Sequence, residues 1–375
     1  MKKLLYILFL ILFVNQLNAQ NFQSFSSSYK DVAEIKAGEL NFRFESLGFF
    51  QNNEYLGNFV DGYTLPGALI RPKLTYSPTD ALYVEVGGHL IKYSGLDKPV
   101  GFVPWFLARY RFSDRFSVVT GNLDQTNQHG LTEQLWEPER IYTDKPESGL
   151  QFLYSGTKLH AQTWISWEQF LQKNDQFQEH FTFGLTSDYK AVENSALSVK
   201  LPVQVLFYHQ GGEINYNPGG VRPRIQTHAN FSAGWEMAMN VGEKIKTINL
   251  NGYWFGYDAI TKDSNTLPFS KGHAYLIETS AQTRNSRISV SYWNAFQFIA
   301  PKGRLLYQSV SDHDPTFQQA DRSVISAKYF WQKEITKGAR AAFQVETFLD
   351  VPTGDLSYSY GFYLLFNQDF LLKRF

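Results

Sequence analysis

The sequence contains no cysteine, and this absence excludes several kinds of chemistry at once. A chain of 375 residues without a thiol has no disulfide framework, no thiolate nucleophile, no cysteine-ligated zinc or iron–sulfur centre and no amino-terminal lipid anchor. An excess of charge is also absent, because 35 basic residues balance 35 acidic ones. The chain therefore has no global basic field for nucleic acid. With 17% aromatic and 19% charged residues, it is not a disordered composition either.

Long hydrophobic runs are confined to the amino terminus. There Lys2 and Lys3 precede an apolar stretch at residues 4–14, and residues 17–19 have the character of a cleavage site. This pattern predicts a cleaved secretory signal peptide over residues 1–19, which is too short to span a bilayer as a helix. No later run approaches 18 apolar residues, so the sequence predicts no transmembrane helix.

Helical patterns are nearly absent as well, and alternating segments take their place. Leu82, Val84 and Val86, for example, alternate with polar or small residues. A period of two is that of β-strands with one apolar and one polar face. Sixteen strands are expected near residues 39–50, 67–76, 81–93, 101–112, 116–123, 148–154, 158–168, 178–189, 196–209, 225–240, 244–258, 271–283, 287–299, 320–333, 339–350 and 356–367.

The connections between these segments alternate between tight turns and longer polar loops, of which residues 124–147 form the longest. An even number of strands places both chain ends on the side of the tight turns, as in barrels whose short turns face the periplasm. Lipid offers no hydrogen-bond partners to a backbone, so a lipid-facing sheet must close on itself. The sequence therefore predicts an all-β fold, a transmembrane antiparallel up-and-down β-barrel of about sixteen strands. A secreted β-sandwich or propeller is the alternative.

In its architecture the chain resembles the outer-membrane β-barrel proteins of Gram-negative bacteria, and the general porins most of all. The resemblance rests on the alternating strands, on Tyr and Trp near strand ends, and on the terminal Phe375. It implies a location in the outer membrane, with a periplasmic extension at residues 20–38 and a barrel at residues 39–375. The last strand either runs to Phe375 with a bulge or ends near Phe366.

The lumenal face of the early strands is predicted to carry charge. Alternation assigns the following titratable residues to that face: Arg43, Glu45, Arg71, Lys73, Glu85, His89, Arg109 and Arg111. The loop at residues 124–147 contains six acidic residues, and by order it matches the third extracellular loop, which folds into the barrel of general porins. Its Glu133, Glu137, Glu139 and Arg140 are predicted to lie at a constriction. They would face the arginine and lysine residues of the early strands, which we call the basic wall. Such a transverse field filters polar solutes, but the same charges would equally tie the loop down in a plugged barrel.

Evidence for other chemistry is weak. His129 with Glu137 and Glu139 offers metal ligands, but the spacing matches no known site, so no metal or other cofactor is expected. Lipase-type barrels carry a His and a Ser on the outer wall, and no such pattern is matched in the sequence. Nucleophile-elbow, zincin and phosphate-loop motifs are also missing. The protein is therefore predicted not to be an enzyme.

Two functions from different classes follow from these observations. The first is an outer-membrane channel for small hydrophilic solutes, with the basic wall and the acidic loop as its filter. The second is a non-conducting barrel that is a subunit of an envelope complex for assembly, secretion or glycan handling. The expected partners are outer-membrane lipid, small hydrophilic solutes, further copies of the chain or envelope proteins, and no nucleic acid.

Overall fold

The computed structural model describes residues 21–26, 36–97, 101–173, 175, 177–212, 224–261, 266–314 and 316–375. The predicted signal peptide at residues 1–19 lies outside the described residues, as does much of the predicted extension. In the described part of the chain, sixteen antiparallel strands form one closed barrel. The predicted fold class and strand number are therefore confirmed.

The strands follow one another around the barrel in chain order, and the last pairs with the first to close it. Their bounds are β1 Glu39–Glu54, β2 Tyr63–Tyr76, β3 Leu82–Tyr93, β4 Gly101–Ser113, β5 Phe116–Asn122, β6 Ser148–Ser155, β7 Leu159–Gln169, β8 Glu179–Glu193, β9 Leu197–Gly211, β10 Gln226–Asn240, β11 Thr247–Ala259, β12 Lys271–Gln282, β13 Ser286–Phe296, β14 Asp321–Thr336, β15 Ala339–Asp350 and β16 Leu356–Arg374. The described helices are α1 Phe22–Ser26 and α2 Arg140–Thr143, with 3₁₀ turns at Thr126–Gly130 and Leu305–Tyr307.

None of the helices described here has the length and apolar character that crossing a bilayer requires.

The carboxyl-terminal strand resolves the two alternatives left open by the sequence. β16 continues to Arg374, and its register against β1 shifts between Leu40, opposite Lys373, and Asn41, opposite Leu371. This is a β-bulge, in which one extra residue interrupts the alternation. The N–H of Phe375 then donates to the carbonyl of Gly38 at 2.9 Å. The strand therefore reaches the end of the chain with a bulge, and the barrel is closed along the length of β1.

The outward face of the barrel is apolar along the middle of the strands. Phe183, Leu185, Leu201 and Val203 on β8 and β9 each expose more than a third of their surface. The residues between them point into the lumen, where most are polar or packed. Hydrocarbon offers no hydrogen-bond partners, so closure of the sheet is what satisfies the backbone groups of such strands. The outward face is thus suited to lipid over its whole circumference.

The lumen is largely filled by two loops that fold inward, at residues 123–147 and 297–320. Leu135 and Phe298 from these loops are fully buried and belong to one apolar cluster with the inward-facing Trp293. The loops are also joined to each other, because the N–H of Arg304 donates to the carbonyl of Glu133 at 2.8 Å. The centre of the barrel is therefore largely a packed core.

Helix α1 closes part of the lumen toward the short-turn end of the barrel. Phe25 is fully buried and Phe22 is 6% exposed. The Phe22 ring lies 4.5 Å from that of Tyr363 on β16, and Arg340 at the start of β15 donates to the carbonyl of Phe25 at 2.8 Å. The amino-terminal segment is thus packed inside the barrel.

The wall of the barrel is lower at β5 and β6. These strands have 7 and 8 residues, whereas the flanking β4 and β7 have 13 and 11. The ladder between β4 and β5 ends at Leu107, and that between β6 and β7 ends at Ser166. At a strand spacing of about 4.8 Å, the three steps from β4 to β7 leave a gap roughly 14 Å wide. We call this gap, between residues 101–106 and 167–169 at the long-loop end, the rim notch.

Candidate functional site

The basic residues predicted for the early strands do point inward, but their charges are neutralised locally. Lys73 Nζ lies 2.8 Å from Glu45 Oε1 and 3.1 Å from Glu85 Oε2. Arg43 Nε lies 2.7 Å from the same Glu45 oxygen. All four residues are less than 5% exposed. Ionic groups this deeply buried are tolerated only when they are paired, so this network holds β1, β2 and β3 together whether or not solute passes beside it.

The other predicted wall residues also have partners within the protein. Arg71 Nε donates to His89 Nδ1 at 2.9 Å, and both side chains are buried. Arg109 forms an ion pair with Asp124 at the start of the long loop. Arg111 lies near the short-turn end and donates to a backbone carbonyl at 2.6 Å. One of these residues, Arg109, thus anchors the loop that was predicted to face it.

The acidic residues of the long loop meet cations elsewhere in the barrel. Glu133 accepts a hydrogen bond from Arg304 Nη1 at 2.8 Å and pairs with Lys328. Glu346 on β15 shares both partners, at 2.6 Å from Arg304 Nη2 and 3.1 Å from Lys328 Nζ. Glu133 therefore faces the loop at residues 297–320 and β14, and not the predicted cations of β1–β4.

Glu137 and Glu139 lie on the same stretch of loop in different surroundings. Burial raises the pKa of Glu137 to about 8. Arg304 acts to lower this pKa, but the repulsion of the neighbouring carboxylates offsets its effect. Glu139 accepts hydrogen bonds from Asn53 Nδ2 at 2.9 Å and Tyr63 Oη at 2.8 Å. These bonds tie the loop to β1 and β2. The predicted loop residues are thus brought into the lumen, where they bridge both sides of the barrel.

His129 does not join Glu137 and Glu139. Its Nε2 lies 2.7 Å from Glu147 Oε2, its Nδ1 lies 3.2 Å from Gln162 Oε1, and its ring stacks on Trp164 at 4.0 Å. In the part of the chain that the structure describes, no group of three or more histidine and carboxylate side chains is arranged to hold a metal ion. His129 therefore anchors the loop to the wall.

A different arrangement lies on the outer wall at the long-loop end. His209 is near the end of β9, in the outward-facing row that contains Leu201 and Val203. Its cross-strand partner on β10 is Thr227, and its Nδ1 lies 2.9 Å from Thr227 Oγ1. The Phe181 ring of β8 stacks on the imidazole at a centroid distance of 4.7 Å. A histidine is thus held against an aliphatic hydroxyl on a surface that faces lipid.

A carboxylate lies next to this pair on the same face. Glu179 is the cross-strand partner of Gly211, two residues beyond His209. A side chain at Gly211 would start 2.8 Å from His209 Nε2, so the imidazole lies over this glycine, the residue that faces Glu179 across the strands. Trp167 Nε1 donates to Glu179 Oε1 at 3.0 Å and holds the carboxylate on the outer face. Diagonal neighbours of this kind are within reach of long side chains.

The three residues have the composition of a hydrolytic triad. A hydroxyl, a histidine at hydrogen-bond distance and an adjacent carboxylate are what nucleophilic acyl transfer requires. His273, also on the outward face, lies instead between the rings of Tyr275 and Phe296. The chemistry that the outer wall offers is therefore concentrated at β8–β10.

Local sequence patterns do not reveal this site because its parts are distant in the chain. His209 and Thr227 are 18 residues apart and fall in two different predicted strands. The signal that would have found them is the outward row of β9, which continues from Phe207 to His209 although a lipid-facing position normally carries an apolar side chain. Pairing β9 with β10 through the intervening loop would then have placed the hydroxyl opposite the imidazole.

Comparisons with known proteins agree with this fold and add a family. A family model described as "Lipid A 3'-O-deacylase-type" matches residues 32–375. OccK8 (OprE) of Pseudomonas aeruginosa is similar in structure, with a TM-score of 0.54 and 11% identity over 89% of this chain and 99% of its own. OprD of the same organism has a TM-score of 0.51 and 8% identity, and the match covers 91% of this chain and 97% of its own. OmpTdeltaL8, an outer membrane protein of Vibrio cholerae, has a TM-score of 0.52 and 10% identity, and the match covers 89% of this chain and 100% of its own. The comparison with curated proteins finds no match.

These similarities confirm the predicted resemblance to outer-membrane barrels. At identities of 8–11% they show the fold alone.

Proposed function

We propose, from the premise that this chain belongs to the lipid A 3′-O-deacylase-type family, that it hydrolyses an acyl ester of a lipid A-type glycolipid. The prediction that the protein is not an enzyme was wrong, because a family match over residues 32–375 points to hydrolase activity. Sequence motifs of soluble hydrolases did not reveal it, since the candidate residues are assembled by strand pairing.

The observation that carries the proposal is the hydrogen bond between His209 and Thr227 on the lipid-facing wall. An acyl ester of a membrane glycolipid lies at the interface between sugar and hydrocarbon, so it meets the barrel from outside. In support of this, the pair lies within a few residues of the long-loop end of β9 and β10. The apolar side chains below it, such as Val203 and Trp235, are suited to the acyl chains.

The chemistry follows the general scheme of nucleophilic acyl transfer. His209 accepts the proton of Thr227 Oγ1, which attacks the ester carbonyl and forms a bond to the acyl carbon. The bond to the sugar oxygen then breaks, and His209 returns the proton to that oxygen. Water, activated by the same imidazole, releases the fatty acid and restores Thr227. Glu179 orients the imidazole and stabilises its protonated form.

The test is fatty-acid release from lipid A by the purified protein in detergent, followed by mass spectrometry. Thr227→Val and His209→Gln are expected to lower the rate by about a hundredfold or more, because a general base contributes roughly 10²–10⁴. Thr227→Ser keeps the hydroxyl and is expected to keep activity. His273→Gln, also on the outward face, is the matched control. Equal release by wild type and Thr227→Val would contradict the assignment.

A second proposal is passage of small hydrophilic solutes through the lumen. It is supported by a cavity of about 370 Å³, lined by charged and polar side chains that include Lys200, Glu236 and Glu278. Polar linings of this kind select solutes by charge. Single-channel conductance in planar bilayers tests it, with Lys200→Glu expected to change ion selectivity. A wild-type barrel that conducts no current would leave hydrolysis as the only proposed activity.

A further inference from the structure

A row of four side chains crosses the outer wall at the level of His209 and Thr227, the hydrolytic pair. The row begins at the edge of the rim notch with Trp167, which pairs with Phe181 of β8. Phe181 pairs with His209 of β9, and His209 pairs with Thr227 of β10. Residues directly opposite each other on neighbouring strands have Cβ atoms about 4.5–5.5 Å apart. The hydrolytic pair therefore has two aromatic residues in line beside it.

The aromatic members of the row define the plane of the imidazole. The Phe181 ring lies 4.7 Å from the His209 ring, with 28° between the two planes. The Trp167 ring lies 6.2 Å from that of Phe181, and its own position is fixed because Nε1 donates to Glu179 Oε1 at 3.0 Å. Stacked rings attract each other beyond the effect of the area they bury. The imidazole thus has a ring against its face, while its edge meets the Thr227 hydroxyl at 2.9 Å.

Gly211 provides the room that this orientation of the ring requires. It follows His209 by two residues in β9 and therefore lies on the same face of the strand. A Cβ atom at this position would lie 2.8 Å from His209 Nε2 and 3.2 Å from Ile225 Cγ2, which is too close for a non-bonded carbon. The ring therefore lies with Nε2 over the glycine and Nδ1 at the hydroxyl of Thr227.

The orientation of the imidazole decides whether it can act as a base. General-base catalysis requires a ring nitrogen within hydrogen-bond reach of the nucleophile. The χ2 torsion of histidine is broad and roughly two-fold, so a flip of the ring exchanges Nδ1 with a carbon atom. One hydrogen bond to a hydroxyl stabilises a conformation only modestly. A second contact, on the face of the ring, is therefore needed to keep Nδ1 at the hydroxyl.

We infer that Phe181, backed by Trp167, is a positioning residue that holds Nδ1 of His209 against the hydroxyl of Thr227. It acts through the imidazole and not on the ester itself. The inference rests on the proposed function for its catalytic consequence, whereas the ring contacts do not depend on that function. Phe183 is the natural comparison, because it lies on the same face of β8 but pairs with an apolar ring, that of Phe207, at 6.1 Å.

The orientation of the ring is measured by NMR of the purified barrel in detergent, without substrate and at a pH where the imidazole is neutral. His209→Gln identifies the signals of His209 by their loss. In wild type the imidazole C–H signals are expected upfield, because they lie against the Phe181 ring, and the nitrogen signals are expected to show one tautomer, with the proton on Nε2. Phe181→Leu is expected to remove the upfield shift and to mix the tautomers. Phe181→Tyr keeps the ring and should keep both signatures, and Phe183→Leu is the matched control.

The catalytic consequence is measured as fatty-acid release from lipid A in detergent. Phe181→Leu is expected to lower kcat about threefold to tenfold, which is the change in population that one stacked pair of rings supports, and to leave KM unchanged. Phe181→Tyr should restore the rate. Gly211→Ala is the second variant if Phe181→Leu does not form a compact barrel. It keeps the Phe181 ring, but its Cβ displaces the imidazole, so the same loss of rate and of NMR signatures is expected.

The outcomes separate this inference from the proposed hydrolysis. NMR signatures that are lost in Phe181→Leu and kept in Phe183→Leu support the positioning role, even if wild type releases no fatty acid, in which case hydrolysis is the proposal that fails. Identical imidazole signals in wild type and Phe181→Leu overturn the inference. An unchanged kcat in Phe181→Leu, or an equal loss of kcat in Phe183→Leu, also overturns it and leaves the hydrolytic pair standing.

Discussion

At the scale of single residues, the lumen is organised by buried ion pairs. Lys73 is 2% exposed and lies between Glu45 and Glu85, while its Nζ is 4.5 Å from the centre of the Trp105 ring. The desolvation of so many charges is offset only by their mutual contacts. Removing one member takes a favourable contact from charges that stay buried, so such residues act on stability before they act on any passage of solute.

Lys73→Met is expected to lower the free energy of unfolding by about 3–5 kcal/mol, because two carboxylates lose their common cation. The measurement is denaturant unfolding of the barrel in lipid vesicles, followed by tryptophan fluorescence. Lys271→Met, at a side chain that is 65% exposed, is the control and is expected to change stability by less than about 0.5 kcal/mol. A similar small change for Lys73→Met would show that the network contributes little.

The His129–Glu147 pair makes the anchoring of the long loop depend on pH. Burial by itself would lower the pKa of His129. The carboxylate of Glu147, assisted by Gln162 and Asp124, has the larger opposite effect, so the pKa of His129 is raised. Burial likewise opposes the charge of Glu147, yet the imidazolium lowers its pKa overall. The contribution of His129 is complete below its unfolded pKa and is lost as pH rises through the folded value. That of Glu147 is lost as pH falls through its lowered pKa.

Glu147→Gln is therefore expected to lower the pKa of His129, by about one unit or more, since the largest favourable contact of the imidazolium is removed. NMR titration of the imidazole C–H signals in detergent measures this shift. Asp144→Asn, in the same loop but outside the contacts of His129, is the control. A His129 pKa that stays in place would mean that the carboxylate does not hold the charge.

The loop that carries His129 contains backbone in an uncommon conformation. Asn127, Gln128 and His129 have φ of 49°, 49° and 60°, and Gly130 follows at 71°. Each non-glycine residue in this region costs about 1–2 kcal/mol. The contacts of His129 with Glu147 and Trp164 are what offset this strain, so the loop conformation depends on the wall around it.

At the scale of elements, α1 obstructs the lumen although it has only five residues. Phe25 packs 6.0 Å from the Phe330 ring, and the Arg340 guanidinium carbon lies 5.2 Å from the centre of the Phe25 ring. Gln23 Nε2 donates to Gln128 Oε1 at 3.1 Å and so joins α1 to the long loop. The segment is held by burial and by contacts to both sides of the lumen.

Deletion of residues 21–26 is expected to increase single-channel conductance or solute uptake by liposomes, because two buried rings leave the lumen. The Phe22→Ala and Phe25→Ala pair should show part of the effect. Lys337→Ala, exposed on the turn between β14 and β15, is the control and should behave as wild type. Unchanged conductance after the deletion would show that the inward-folded loops alone limit passage.

At the scale of the whole molecule, stability in a membrane depends on closure between the first and last strands. β1 pairs with β16 from Glu39 opposite Arg374 to Glu54 opposite Tyr358. Any part of β1 without its partner would expose backbone groups to hydrocarbon, at several kcal/mol for each group. The carboxyl-terminal residues are therefore a structural requirement of the barrel.

Deletion of residues 370–375 is expected to prevent formation of the compact barrel, since the start of β1 loses its partners. Heat-dependent migration in gel electrophoresis after refolding into detergent measures this directly. Phe375→Tyr keeps the ring and the backbone and is the control. A deleted chain that still migrates as a compact species would show that closure along the upper part of β1 is sufficient.

The sequence by itself determined the strands, their inward and outward faces and the need for a closed barrel. Alternation with a period of two is local, and the backbone groups of lipid-facing strands are satisfied only when their sheet closes on itself. It also placed Arg43 and Lys73 in the lumen. What only the tertiary structure decided is which distant residues meet: Glu133 with Arg304 through two inward-folded loops, and Thr227 with His209 across neighbouring strands. Such contacts depend on the pairing register of the strands and on how the loops pack. Neither of these produces a repeating pattern in the amino-acid sequence.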